Sequence, residues 1–71
     1  MIQYTVEETL AEMSDRKRLC LISWAGRDAK LDIRDWYTKD GQEYPGKGLA
    51  LTEEEGRELL AGLQEYFSRG A

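Results

Sequence analysis

The sequence predicts an α+β domain of four short strands followed by one helix, and three observations carry that prediction. Residues 18–24 (RLCLISW) and 30–37 (KLDIRDWY) are rich in β-formers that repeat at the two-residue period of a strand. Lys39-Asp40-Gly41 then supplies a hairpin turn, because Asp-Gly tolerates the positive φ such a turn needs. Thr52, with Glu55 three residues on, opens a terminal apolar run at helical spacing.

The first segment carries two periods at once. Ile2, Tyr4 and Val6 alternate like a strand, whereas Val6, Leu10 and Met13 fall at the spacing of a helix face. A strand is expected, bulged near Glu7-Glu8. In residues 18–24, Leu19 and Leu21 share one face and Cys20, Ile22 and Trp24 the other, so both faces are apolar, as in a central strand. Ala25–Ala29 (AGRDA) reads as a turn. In residues 30–37, Leu31, Ile33 and Asp35 lie on one face and Asp32, Arg34 and Trp36 on the other. Pro45-Gly46-Lys47-Gly48 reads as irregular chain, leaving LALT (49–52) as a short last strand. The helix follows. Glu53 and Glu54 favour its positive end, Leu59, Leu60, Leu63, Tyr66 and Phe67 form its apolar stripe, and Gly70 stops it. Gly56 and Gly62 within it indicate either close approach by another backbone or plain tolerance.

Seventy-one residues make one domain, expected to span 1–71. A chain this short buries only about 60% of its unfolded surface, so it calls for a staple or a partner. With one cysteine and no histidine, neither an internal disulfide nor a Cys/His metal site is available. No calcium-loop pattern appears either, so no metal is expected and self-association is the remaining route. The expected location is the cytoplasm, at the nucleoid. The first thirteen residues are acidic where a secretory signal is basic, and no apolar run is long enough to span a membrane.

Catalysis is not expected. No histidine can serve as a base near neutral pH, and Cys20 between leucines reads as a buried structural thiol. Asp32 and Asp35 read as surface charges, and Glu53–Glu55 as helix-capping residues. Pro45-Gly46-Lys47-Gly48 lacks the glycine spacing and Lys-Ser/Thr ending of a nucleotide loop, so no cofactor is expected. It does offer a glycine-flanked lysine able to approach a phosphate.

The net charge of −4 conceals a segregation: residues 1–15 carry −4, residues 16–47 carry +3 and residues 48–71 carry −3. In the basic middle, Trp24, Trp36, Tyr37 and Tyr44 lie among Arg18, Arg27, Lys30, Arg34, Lys39 and Lys47. Such interleaving suits a single-strand platform, with bases stacked on rings and cations following the backbone. It is equally compatible with tryptophans in a core and an arginine paired to Asp32 or Asp35.

Two motifs in order then bring in a family. Asp32-Ile33-Arg34-Asp35-Trp36-Tyr37, followed by Pro45-Gly46-Lys47-Gly48-Leu49-Ala50-Leu51-Thr52 with Glu54 and Glu55, resembles the signature of the positive cofactor 4 family, in its short bacterial form. The resemblance implies a curved four-stranded antiparallel sheet followed by one C-terminal helix, paired as a two-fold homodimer through helix residues such as Leu59, Leu63 and Phe67. It implies a sequence-tolerant binder of single-stranded DNA, or RNA, acting in transcription, replication or repair, with the transcription machinery a further partner. The contacts it implies fall on Arg34, on Trp36 or Tyr37, on Lys47, and on Trp24 as a stacking ring. Trp36 is the favoured ring of that pair because it shares the Arg34 face. Arg16 and Arg18 would supply charge at the start of the second strand, with Arg27, Lys30 and Lys39 adding to it. Gly56 departs from the family, which has a large aromatic there, and the loop lacks one of the family's basic residues. The rival reading is a dimeric protein-interaction module that binds no nucleic acid.

Overall fold

The protein was analysed as a computed structural model that describes residues 3–70. Ile2, the first member of the alternating set, lies outside them. Four strands, β1 (Tyr4–Glu12), β2 (Lys17–Trp24), β3 (Lys30–Lys39) and β4 (Gln42–Leu51), precede one helix, α1 (Glu53–Arg69). The strands pair with their sequence neighbours in the order β1-β2-β3-β4, each antiparallel to the next, as an open sheet. The α+β class and the element order are those the sequence predicts.

The turns show why. Asp40 and Gly41 both take positive φ, at 53° and 80°, and join Lys39 to its partner Gln42 as a two-residue hairpin. Ala25 and Gly26, at 53° and 76°, turn β2 towards β3, closed by Arg27 N–H donating to the Trp24 carbonyl at 2.9 Å. Thr52 and Glu55 form the reciprocal capping box, with bonds of 2.8 and 3.0 Å, and Gly70 caps the helix end.

β1 resolves its two competing periods by being bulged twice. The pairing with β2 slips between Val6 and Glu8 and again between Thr9 and Ala11. Each extra residue shifts the following side chains by one face, which scrambles a strand's alternation into something that resembles a helix. The expected bulge near Glu7 is there; the second was not expected.

β4 corrects one expectation. Pro45–Gly48 is not an irregular stretch before a short strand but lies inside a ten-residue strand. The register slips between Arg34 and Trp36, where their partners are Gly48 and Pro45, so β4 carries one surplus residue. An edge strand tolerates the proline, which cannot donate to a ladder. Gly48 is required by proximity, since a Cβ there would collide with the Ile33 carbonyl and with Arg34.

The two sheet faces differ. Cys20, Ile22 and Trp36 form a small buried core on one face, with Tyr4 and Trp24 packed against it and the buried Asp32 among them. Leu19, Leu21, Leu31 and Ile33 project from the other and are half-buried. The helix touches only β3 and β4, and Gly56 lets it approach Leu31, whose Cδ1 would lie 2.5 Å from an added Cβ. Gly62, by contrast, faces open space within the protomer. No helix residue is buried, and Leu59, Leu60, Leu63, Tyr66 and Phe67 are all exposed, Phe67 to 71%.

Candidate nucleic-acid interface

Asp32 organises the candidate site. Its carboxylate is fully buried, and three donors hold it there. Arg34 grips it in a fork, Nε to Oδ1 at 2.5 Å and Nη2 to Oδ2 at 2.8 Å, while the Trp24 indole N–H donates to Oδ2 at 3.1 Å. A buried charge persists only when it is paired and hydrogen-bonded in this way. Asp32 is therefore not a surface charge, as the sequence suggested, because its even position in β3 turns it into the core.

The same network fixes Arg34 and Trp24 against each other. The guanidinium carbon stands 4.6 Å from the Trp24 ring centre, a cation–π contact, and Nη1 donates to the Gly46 carbonyl at 3.1 Å. A guanidinium has five N–H groups. Three are engaged here, leaving one on each terminal nitrogen for an incoming acceptor.

Beside this network opens a cleft of about 430 Å³, lined by Tyr4, Trp24, Arg34, Tyr37, Tyr44, Pro45 and Gly46. Arg34 and Tyr37 line one opening, next to the bulge between β3 and β4, although two residues lie between them and a regular strand would put them on opposite faces. Tyr37 is 49% exposed and packs against Tyr44 across the ladder, ring centres 5.8 Å apart. Tyr4 stands 5.5 Å from Trp24. Lys47, directly after Gly46, is exposed on β4.

Trp36 does not share that opening. It is only 5% exposed and belongs to the core, with Tyr4 at 6.0 Å and the Arg18 guanidinium 5.6 Å from its ring centre. Trp36, the ring favoured from the sequence because it shares the Arg34 face, is thus buried, and Tyr37 is the exposed ring of the pair. Its indole N–H has no partner among the described residues.

Arg18 lies towards the other side of the face. Its guanidinium takes Glu43 in a fork, at 2.6 and 3.1 Å, with Glu12 at 3.9 Å. The hydrogen bond from Arg18 is the main cause holding the Glu43 carboxyl below its usual range, and reciprocally raises Arg18. Lys17 does the same for Asp35 at 2.7 Å.

The remaining cations are spread out. Arg27 sits in the β2–β3 turn and Lys39 at the opposite end of β3, both exposed. Lys30 lines a separate hollow with Leu31, Leu51 and Glu53 beside the helix start. Arg16, Arg27, Lys30, Lys39 and Lys47 form no ion pair with any described residue. Sequence reasoning missed Tyr4 and did not assign Tyr44 a role. The alternation of Tyr4 in a strand that pairs with β2 was the available signal, but the Tyr4–Trp24 register is set by tertiary pairing.

These features define a class: an open-sheet α+β module carrying an aromatic cleft, an arginine preset against an indole, and an exposed lysine that follows a cleft residue in the chain. The comparison with protein families agrees. Residues 11–62 match the family described as Transcriptional Coactivator p15 (PC4). That span is most of the chain, and the protein belongs to this family. No curated protein matches the chain as a relative.

Proposed function

We propose that this protein is a homodimer that binds single-stranded DNA, and RNA by the same contacts, largely without regard to sequence. The observation that carries the reading is the cleft in which Trp24, Tyr37, Tyr44 and Tyr4 flank Arg34, with the exposed Lys47 next in the chain to its lining residue Gly46. Every base has a π-face, so stacking on such rings tolerates any sequence, and cations at the rim follow the phosphates. The reading implies no catalytic step: the chain has no histidine and its one thiol is buried. Family membership supports a role in transcription regulation, with the transcription machinery as partner, or in replication and repair, and in this reading the protein acts at the nucleoid in the cytoplasm.

Dimerisation is supported by the helix. A stripe of Leu59, Leu63 and Phe67 is left uncovered by its own sheet, and a 71-residue chain without a disulfide has little other apolar surface to bury. A second copy meeting it helix to helix covers both stripes at once.

A fluorescence-anisotropy titration of an unstructured oligonucleotide of about twenty bases, at low salt, tests the function. Saturable binding that weakens with salt is expected. Anisotropy that stays at the value of the free oligonucleotide would favour the rival reading, a protein-interaction module.

A further inference from the structure

We infer that Glu43 is an internal stand-in for a nucleic-acid phosphate: its carboxylate occupies the guanidinium fork of Arg18 and so closes the Trp36 side of the sheet face to a bound strand. The inference rests on the single-strand reading above and deepens it, since it names what bounds the strand's path.

The geometry is that of anion recognition. Arg18 donates through both terminal nitrogens to both oxygens of Glu43, at 3.1 and 2.6 Å, the two-pronged fit that guanidinium also makes to phosphate. The partners come from β2 and β4, so the pair straps across β3. Beneath it lies the Trp36 ring, which the Arg18 guanidinium overhangs. An arginine over an aromatic ring is itself a platform for a stacked base and its phosphate, and here a carboxylate fills it.

The surroundings reinforce the exclusion. The strap borders an open hollow of about 590 Å³ lined by Thr9, Leu10, Ala11, Glu12, Arg18 and Glu43. There is room for a nucleotide, yet two carboxylates there face a single guanidinium, so a polyanion is repelled. At the aromatic cleft the balance is opposite: Asp32 is buried beneath Arg34, and no carboxylate is among the residues that line the opening. The Glu43 side chain is about half exposed. Exposed ion pairs of this kind contribute little to stability, so the strap is a weak latch that can yield once its carboxylate is removed or outcompeted.

The test uses anisotropy titrations of the same oligonucleotide, over a range of salt, with the full chain as wild type, Glu43→Gln, Arg18→Ala and the double variant. Glu43→Thr, a better strand former, repeats the first substitution in case glutamine disturbs β4. Removing the carboxylate should tighten binding roughly three- to tenfold at low salt and steepen the logarithmic salt slope by about 0.7, the increment for one added phosphate contact. The gain should vanish in the Arg18→Ala background. An equal gain in both backgrounds would show only that one negative charge was lost, and an unchanged affinity and slope would show that Arg18 never faces the strand; either sinks the inference while leaving the single-strand reading intact. Binding by Glu43→Gln but not by wild type would support the latch and overturn the functional reading for the native chain. If no form binds, both fall.

Discussion

Asp32 accepts from both Trp24 and Arg34, and that arrangement decides which neighbouring residues hold the fold and which meet a ligand. Sequence pattern placed Arg34 and Trp36 on one face of β3, and that alternation is correct. What it could not show is that this face closes over Trp36, burying it beneath Arg18 and against Tyr4. Nor could it show the bulge of β4 opposite Asp35 or that Tyr37 lines the cleft, because a bulge is a property of two strands and not of one. The consequence is a reversal of roles that mutation can read. Tyr37→Ala should leave the melting temperature nearly unchanged and weaken oligonucleotide binding about five-fold to over a hundred-fold, the 1–3 kcal/mol of one stacked base. Trp36→Ala should instead cost about 3–5 kcal/mol of stability, most of what a domain this small has, and is expected to unfold by circular dichroism. A folded, binding-deficient Trp36→Ala would restore it as the stacking ring.

Among the elements, those set by local chemistry were legible: the Asp40-Gly41 hairpin, the Thr52–Glu55 capping box, and β2 with two apolar faces as a central strand. Those that depend on a partner strand were not. β1 hid behind two bulges, and β4 looked interrupted because Pro45 and two glycines are breakers in isolation. In the sheet Gly48 has a positive reason to be there, the close passage of β4 over Ile33 and Arg34. Gly48→Ala should therefore destabilise by about 1–3 kcal/mol, the usual cost of overpacking, seen as a lower denaturation midpoint; an unchanged midpoint would mean that β4 yields freely. Two exposed pairs also tie the strands, Lys17–Asp35 from β2 to β3 and Arg18–Glu43 from β2 to β4. Both carboxyls titrate below their usual values because of the hydrogen bonds they accept. Their contribution is thus complete above the ordinary carboxylate pKa, about 4, and is lost as pH falls through the lowered folded values. Thermal scans should show that replacing Glu43 by Gln shifts the melting temperature at neutral pH but not at the acid end of that window. A shift of equal size at both would mean the ion pair is not its source.

At the scale of the molecule, the chain is a sheet with a thin core and a helix that buries none of its residues. Size and the lack of covalent staples pointed to a partner from the sequence, and the uncovered stripe says where it would sit. Leu63→Lys should remove the pairing and, with it, most of the stability. Light scattering at micromolar concentration is expected to give the dimer mass for the native chain and the monomer mass, or unfolded chain, for the variant. A native chain that scatters as a monomer would contradict the pairing. The charge segregation has its counterpart at this scale too: acidic residues fill the first turn of the helix, whereas Arg34 is the one charged residue lining the aromatic cleft among the described residues.

The chain has only two tryptophans, and they occupy opposite circumstances: Trp24 lines the cleft with its indole N–H on Asp32, and Trp36 is buried with its indole N–H unpartnered among the described residues. An amide-correlation NMR spectrum of the native protein therefore contains two indole signals, one for each environment. Titration with an unstructured single strand should move the Trp24 signal progressively to saturation and leave that of Trp36 close to its starting position. Duplex of the same length, whose base faces are already stacked, should move neither appreciably. If the Trp24 signal stays fixed at saturating single strand, or responds equally to duplex, the aromatic cleft is not where nucleic acid binds and the central claim is wrong.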